Sequence, residues 1–175
     1  MPGSFDNGCV IALGTFDGLH PGHRAVIRAC VEYAIQTGTD SAVYTFYENP
    51  RYLFAQPPLE LMRPQEKIEK IGALGVDRVI CVHFTPELAA LSPEQFVDML
   101  KTSYHPSAVV TGEDYTFGSG AAGDVALLRE ICGRRNIAVI TVSLVMMGKE
   151  KISSTRIRAA IEQGDVATVN SLMKG

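Results

Sequence analysis

The sequence has no block of like charge, no apolar run approaching the roughly 18 residues of a membrane span, and no clustered cysteines, and each absence removes a class of protein. Sixteen basic residues against nineteen acidic ones leave a net charge of −3, spread along the chain. That excludes a nucleic-acid binder held by a broad basic face. The N-terminal MPGSFDNG carries neither a charged leader region nor an apolar one, so the expectation is a cytoplasmic protein without a membrane partner. Cys9, Cys30, Cys81 and Cys132 lie far apart, each in an apolar pattern, and read as small buried hydrophobes, not as a disulfide framework or a zinc site. No Walker A string occurs, which argues against a P-loop kinase. With no internal repeat and no low-complexity linker, the chain reads as a single domain over residues 1–175.

What is present is an alternation of short apolar runs with amphipathic stretches. Cys9 to Leu13, Ser41 to Tyr47, Arg78 to Phe84, Ser107 to Thr111 and Ile137 to Val145 read as strands. Helices are expected from about Arg24 to Gly38, with Ile27, Val31, Ala34 and Ile35 inward, from Pro64 to Leu74, after Ser92, after Asp124, and over Ser153 to Gln163 and Asp165 to Met173. The pattern predicts an α/β fold, a doubly wound, mostly parallel five-stranded sheet of Rossmann-like form. Ligands on such sheets sit at the carboxyl ends of the strands. The loops Gly14 to His23, Glu48 to Pro50 and Gly112 to Gly123 leave those ends and should converge. Tyr52 and Phe54, in a loop without periodicity, could stack on a planar ligand, although packing explains them as well.

The first of these loops, GTFDGLHPGH, sets three glycines, Pro21 and two histidines between an apolar strand and a helix start. Glycines allow close backbone approach to a ligand, and a helix N-terminus presents free N–H groups and a positive dipole end. Beside His20 and His23 this makes an anion site. Near the other end, ISSTRIR offers Ser153, Ser154 and Thr155 at a second helix start, with Arg156 as a permanently charged fork for phosphate oxygens. The string GSGAAG at Gly118 to Gly123 matches the dinucleotide fingerprint formally, but it does not start at a strand end. Ser143 stands where an acidic residue should hold the ribose.

HPGH has the form His-x-Gly-His, and the stretch resembles the signature of the HxGH nucleotidylyltransferases, the bacterial FAD synthetase family in particular. ISSTRIR matches the second signature of that family, in which S-S-T-x-I-R binds the triphosphate. EKIEKIGALGVD, FTPELAALSPEQFV and VVTGEDYTFG are similar to FAD synthetase sequence in the same order. The resemblance implies transfer of AMP from Mg²⁺-bound ATP to FMN, giving FAD and pyrophosphate. It places His20, His23 and Arg156 in catalysis, Gly14, Phe16, Asp17, Gly18, Asp114, Ser153, Ser154 and Thr155 around ATP, and Asn49 and Pro50 at the acceptor. No protein ligand for the metal is expected, because Mg²⁺ keeps most of its waters.

Two departures from the family pattern bear on the acceptor. Glu48-Asn49-Pro50 stands where Pro-His-Pro is usual, and Ala121 and Ala122 follow the Phe-Gly pair where an arginine is common. They leave two alternatives open: another HxGH adenylyl- or cytidylyltransferase with a different phosphate acceptor, and a nucleotide- or flavin-binding module without catalysis. The sequence resembles the adenylyltransferase half of the family only, which implies a separate riboflavin kinase as a partner.

Overall fold

The structure, a computed structural model, describes residues 5, 8–53 and 58–174; Phe54 lies outside them. Five strands, β1 (Cys9–Leu13), β2 (Asp40–Phe46), β3 (Arg78–Val82), β4 (Pro106–Gly112) and β5 (Ala138–Val142), form one sheet in the order β3-β2-β1-β4-β5. All four pairings are parallel, so the expected doubly wound sheet is present. The helices are α1 (Pro21–Thr37), α2 (Pro64–Gly72), α3 (Pro86–Ala89), α4 (Pro93–Tyr104), α5 (Val125–Gly133), α6 (Ser154–Glu162) and α7 (Val166–Met173).

The unbroken apolar run of β1 follows from its place at the centre. Ile11 and Leu13 pack with Phe96, Val97 and Leu100 of α4 and Leu128 and Ile131 of α5. Val10 and Ala12 face the other way, against Val26, Ile27, Cys30 and Ala34 of α1 and Ile71 of α2. Successive strand residues therefore feed two cores, which is why no polar position interrupts the strand. Cys9, Cys30 and Cys132 are buried as expected and Cys81 is half-buried; burial pushes the Cys30 thiol up to about 11.

Several expected boundaries shift. Helix α1 begins at Pro21, not Arg24, because Pro21 suits the first helical position and His20 acts as its N-cap. Its inward stripe is Val26, Ile27, Cys30 and Ala34, whereas Ile35 is 74% exposed. Strand β3 stops at Val82, leaving His83 exposed, with its Nδ1 2.7 Å from Glu48. The apolar run after Asn136 divides: β5 ends at Val142, and the remainder enters an antiparallel hairpin of β6 (Met146–Met147) and β7 (Glu150–Lys151). That hairpin, α6 and α7 share a small core of their own, in which Ile152, Ile157 and Leu172 pack with Leu61, Val145, Met147, Val169 and Met173.

Candidate active site

The carboxyl ends of β1, β2 and β4 open into a cavity of about 560 Å³, within the usual range for small-molecule sites. One part of its wall is apolar and largely aromatic: Phe46, Phe84, Leu88, Phe96, Tyr115 and Phe117. The other is polar, with Gly14, Thr15 and Asp17 from the first loop and Ser154, Thr155 and Arg158 from α6. Asn49 and Pro50 line the same cavity, as the topology required. Asn49 Oδ1 accepts from the Arg51 backbone N–H at 3.1 Å, which fixes its amide at the rim.

The histidines of HPGH come together as a stacked pair. Their ring centroids are 3.6 Å apart and the planes are inclined by 21°. His20 Nδ1 accepts from the His23 backbone N–H at 3.4 Å, so the proton of a neutral His20 sits on Nε2. Burial, with Arg24 nearby, lowers the His20 pKa to about 4, and burial with His20 beside it holds His23 well below its ordinary value. Both rings are neutral near pH 7 and offer N–H groups, not charge.

The backbone that carries them is tightly drawn. Phe16 has φ of 51° and Leu19 of 44°, a region non-glycine residues rarely occupy. The buried Phe16 ring folds back under Gly14, so that a Cβ on Gly14 would lie 2.9 Å from it, and meets His23 edge-on at 5.4 Å. Gly18, at φ of 81°, leaves room for Leu61, which a Cβ there would approach to 2.8 Å.

Asp17 is a structural clamp as well as a wall residue. Its carboxylate pairs with Arg158 and accepts from the Leu61 N–H at 3.1 Å, while its carbonyl accepts from Ser154 Oγ at 2.8 Å. The two signature motifs are thus joined through one residue. Ser153 caps α6 by accepting from the Arg156 N–H. Seven of the expected residues are not part of the cavity's lining: Phe16, Gly18, His20, His23, Asp114, Ser153 and Arg156. Asp114 pairs with Lys151 of β7 at 2.5 Å and does not line the cavity, although its charge reaches His20. Arg156 turns to the hairpin, 3.3 Å from a Glu150 carboxylate oxygen, and Arg158 takes the cavity instead. Positions 154 and 158 are one helical turn apart on one face and 156 lies off it. The arginine that closes the string S-S-T-x-I-R is in fact Arg158, so its place in the motif was the available signal.

Residues 3–156 match the family profile described as FAD synthetase. The chain belongs to the FAD synthetase family. It is 40% identical over 159 residues to a Geobacillus thermodenitrificans protein provisionally named a bifunctional riboflavin kinase/FMN adenylyltransferase, covering 90% of this chain and 85% of that one. A bifunctional riboflavin kinase/FMN adenylyltransferase of Listeria monocytogenes is 37% identical over 94% of this chain and 53% of its own length, and the Escherichia coli K12 protein of the same name 33% identical over 95% and 54%. The chain therefore spans about half the length of the latter two relatives. Among solved structures, a macrolide-efflux protein from Streptococcus pneumoniae superposes with a TM-score of 0.84 at 31% identity, over 95% of this chain and 55% of that one. Among the described residues no helix is long and apolar enough to cross a membrane.

Proposed function

We propose that this FAD synthetase-family chain transfers the adenylyl group of ATP to FMN. The cavity carries the reading: a chamber with an aromatic wall suited to a flat ring system, whose polar wall is made by the loop after β1 and the start of α6. An oxygen of the FMN phosphate attacks the α-phosphorus of ATP in line, the bond from that phosphorus to the bridging oxygen breaks, and pyrophosphate leaves with the electron pair. No protein nucleophile is needed; positioning and stabilisation of growing negative charge suffice.

In this reading His20 and His23 donate from neutral rings to phosphate oxygens, and the N-termini of α1 and α6 add backbone N–H groups. Arg158, not Arg156, supplies the charged fork at the cavity, held in place by Asp17. Gly14 and Gly18 give the approach of the backbone, Thr155 a hydroxyl, and Asn49 and Pro50 the acceptor rim. Asp114 serves the nucleotide side through its field on His20. Among the described residues no group of three or more candidate metal ligands occurs. Mg²⁺ would ride on the triphosphate with its waters and supply neutralising charge. The kinase named in the bifunctional relatives is not assigned to these residues; FMN is supplied by riboflavin kinase activity outside them.

The test is incubation with Mg-ATP and a panel of phosphate acceptors, FMN among them, read by mass spectrometry. FAD and pyrophosphate are expected. Adenylylation of another acceptor with none of FMN overturns the flavin reading, and no adenylylated product at all overturns the catalytic one.

A further inference from the structure

Lys67 of α2 is 5% exposed, yet among the described residues its ammonium has no carboxylate partner. It donates to two carbonyls instead, Thr15 at 3.3 Å and Phe46, one following β1 and one ending β2. Thr15 and Phe46 both line the cavity. The Thr15 carbonyl is also held by Thr45 Oγ1 at 2.9 Å. The titratable groups whose fields reach Lys67 are the Cys81 thiol and the carboxyls of Asp17, Glu60 and Glu48, and the three carboxyls are engaged elsewhere, Asp17 by Arg158, Glu60 by Tyr52 and Glu48 by His83. Taking a lysine out of water without a counter-charge is costly, and burial lowers its pKa accordingly. Two carbonyl dipoles orient the ammonium but do not neutralise it.

We infer that Lys67 is a positioning and specificity-determining residue whose buried, unneutralised charge, set behind the wall shared by the HPGH loop and the aromatic chamber, selects an acceptor carrying a phosphate. An entering phosphate dianion supplies the counter-charge that the fold omits. The same two hydrogen bonds fix the spacing between the loop after β1 and the end of β2, so the charge and the shape of the rim depend on one side chain.

The inference rests on the flavin reading of the cavity, and the experiment separates the two. Binding of FMN and of riboflavin, which differ by the phosphate, is measured by quenching of flavin fluorescence in the wild type, Lys67→Gln and Lys67→Arg. The wild type is expected to prefer FMN. Lys67→Gln, which keeps a donor but no charge, should lose about tenfold of that preference through FMN alone, with riboflavin binding unchanged, and Lys67→Arg should retain it. Equal weakening of both flavins in Lys67→Gln reduces Lys67 to a strut and overturns the inference. Should Lys67→Gln fail to fold, the wild type still decides: a buried charge is little screened, so the preference must survive 0.5 M salt, and its disappearance overturns the inference. A wild type that binds neither flavin overturns the functional reading itself.

Discussion

The two motifs that meet at the cavity, each leading into a helix, are built in opposite ways. The first, at Pro21, grows from the central strand and stands on the core that β1 shares with α1 and α2, and its histidines are neutral, stacked and held by hydrogen bonds along their own loop. The second, at Ser154, belongs to a unit whose small core takes in Leu61 from the segment before α2, and it is tied to the rest chiefly by polar links: Asp17 to Arg158, Asp17 to Ser154, Lys151 to Asp114, Leu59 to Arg158, and Arg24 to the Met173 carbonyl. One half is positioned by packing, the other by charge and directed hydrogen bonds. Packing gives a fixed donor geometry, whereas the polar attachment lets a single pair decide whether the second half is seated at all.

The largest expected effect tests that dependence. Asp17→Ala leaves Arg158 buried without its partner and should destabilise the protein by about 3 to 5 kcal/mol, seen as a lowered urea midpoint; a loss below about 1 kcal/mol, the range of surface pairs, would erase the contrast between the halves. On the packed side, the low His20 pKa gives a pH signature. The folded value of about 4 lies below the ordinary 6.5, so between them the unfolded chain binds the extra proton. Stability should therefore fall as pH drops from about 6.5 towards about 4, by up to about 3 kcal/mol for this group, and its contribution should be flat above that window. His20→Asn, which can still cap the helix, should flatten the fall in Tm.

Next in size, His23→Ala should lower kcat by roughly 10²-fold, the cost of one preorganised donor, with far less effect on ATP binding. A kcat within a few-fold of wild type would show that the packed half does not act on the transition state. Asn49→Ala should raise KM for FMN by the equivalent of about 1 to 2 kcal/mol and leave that for ATP unchanged; a rise for ATP instead would move the acceptor away from the rim. Smallest of all is Arg156→Ala. Its pairing with the exposed Glu150 should contribute under about 1 kcal/mol, and steady-state rates should stay within a few-fold, in contrast to Arg158→Ala.

The sheet was legible because its strands are short apolar runs and its connections are long enough for crossovers. The convergence of three loops followed from topology, and Gly14, Asn49 and Pro50 do share one cavity. Direction around a helix was harder to read. Ile35 is apolar and exposed, whereas Lys67 of α2 stands one turn before Ile71 and is buried beside it. A charged residue on an inward face is invisible to a pattern that counts only apolar positions. The hairpin was missed for a similar reason: Ile137 to Val145 is mostly apolar, and the small polar Thr141 and Ser143 are both compatible with a strand, so composition does not mark where β5 stops. On sequence Arg156 reads as the phosphate fork, whereas the phase of α6 and the last position of S-S-T-x-I-R both select Arg158.

The ring of Phe16 beneath Gly14 binds the history of those two positions together. A methyl group at position 14 has no room while the phenyl ring stays, and a smaller side chain at position 16 would make that room only by removing the edge that supports His23. Neither substitution opens the way for the other without passing through a damaged site. Variants that reach this loop by single steps are blocked in both directions, so the spelling of GTFD is guarded by mutual steric exclusion within the protein itself, before any ligand has a say.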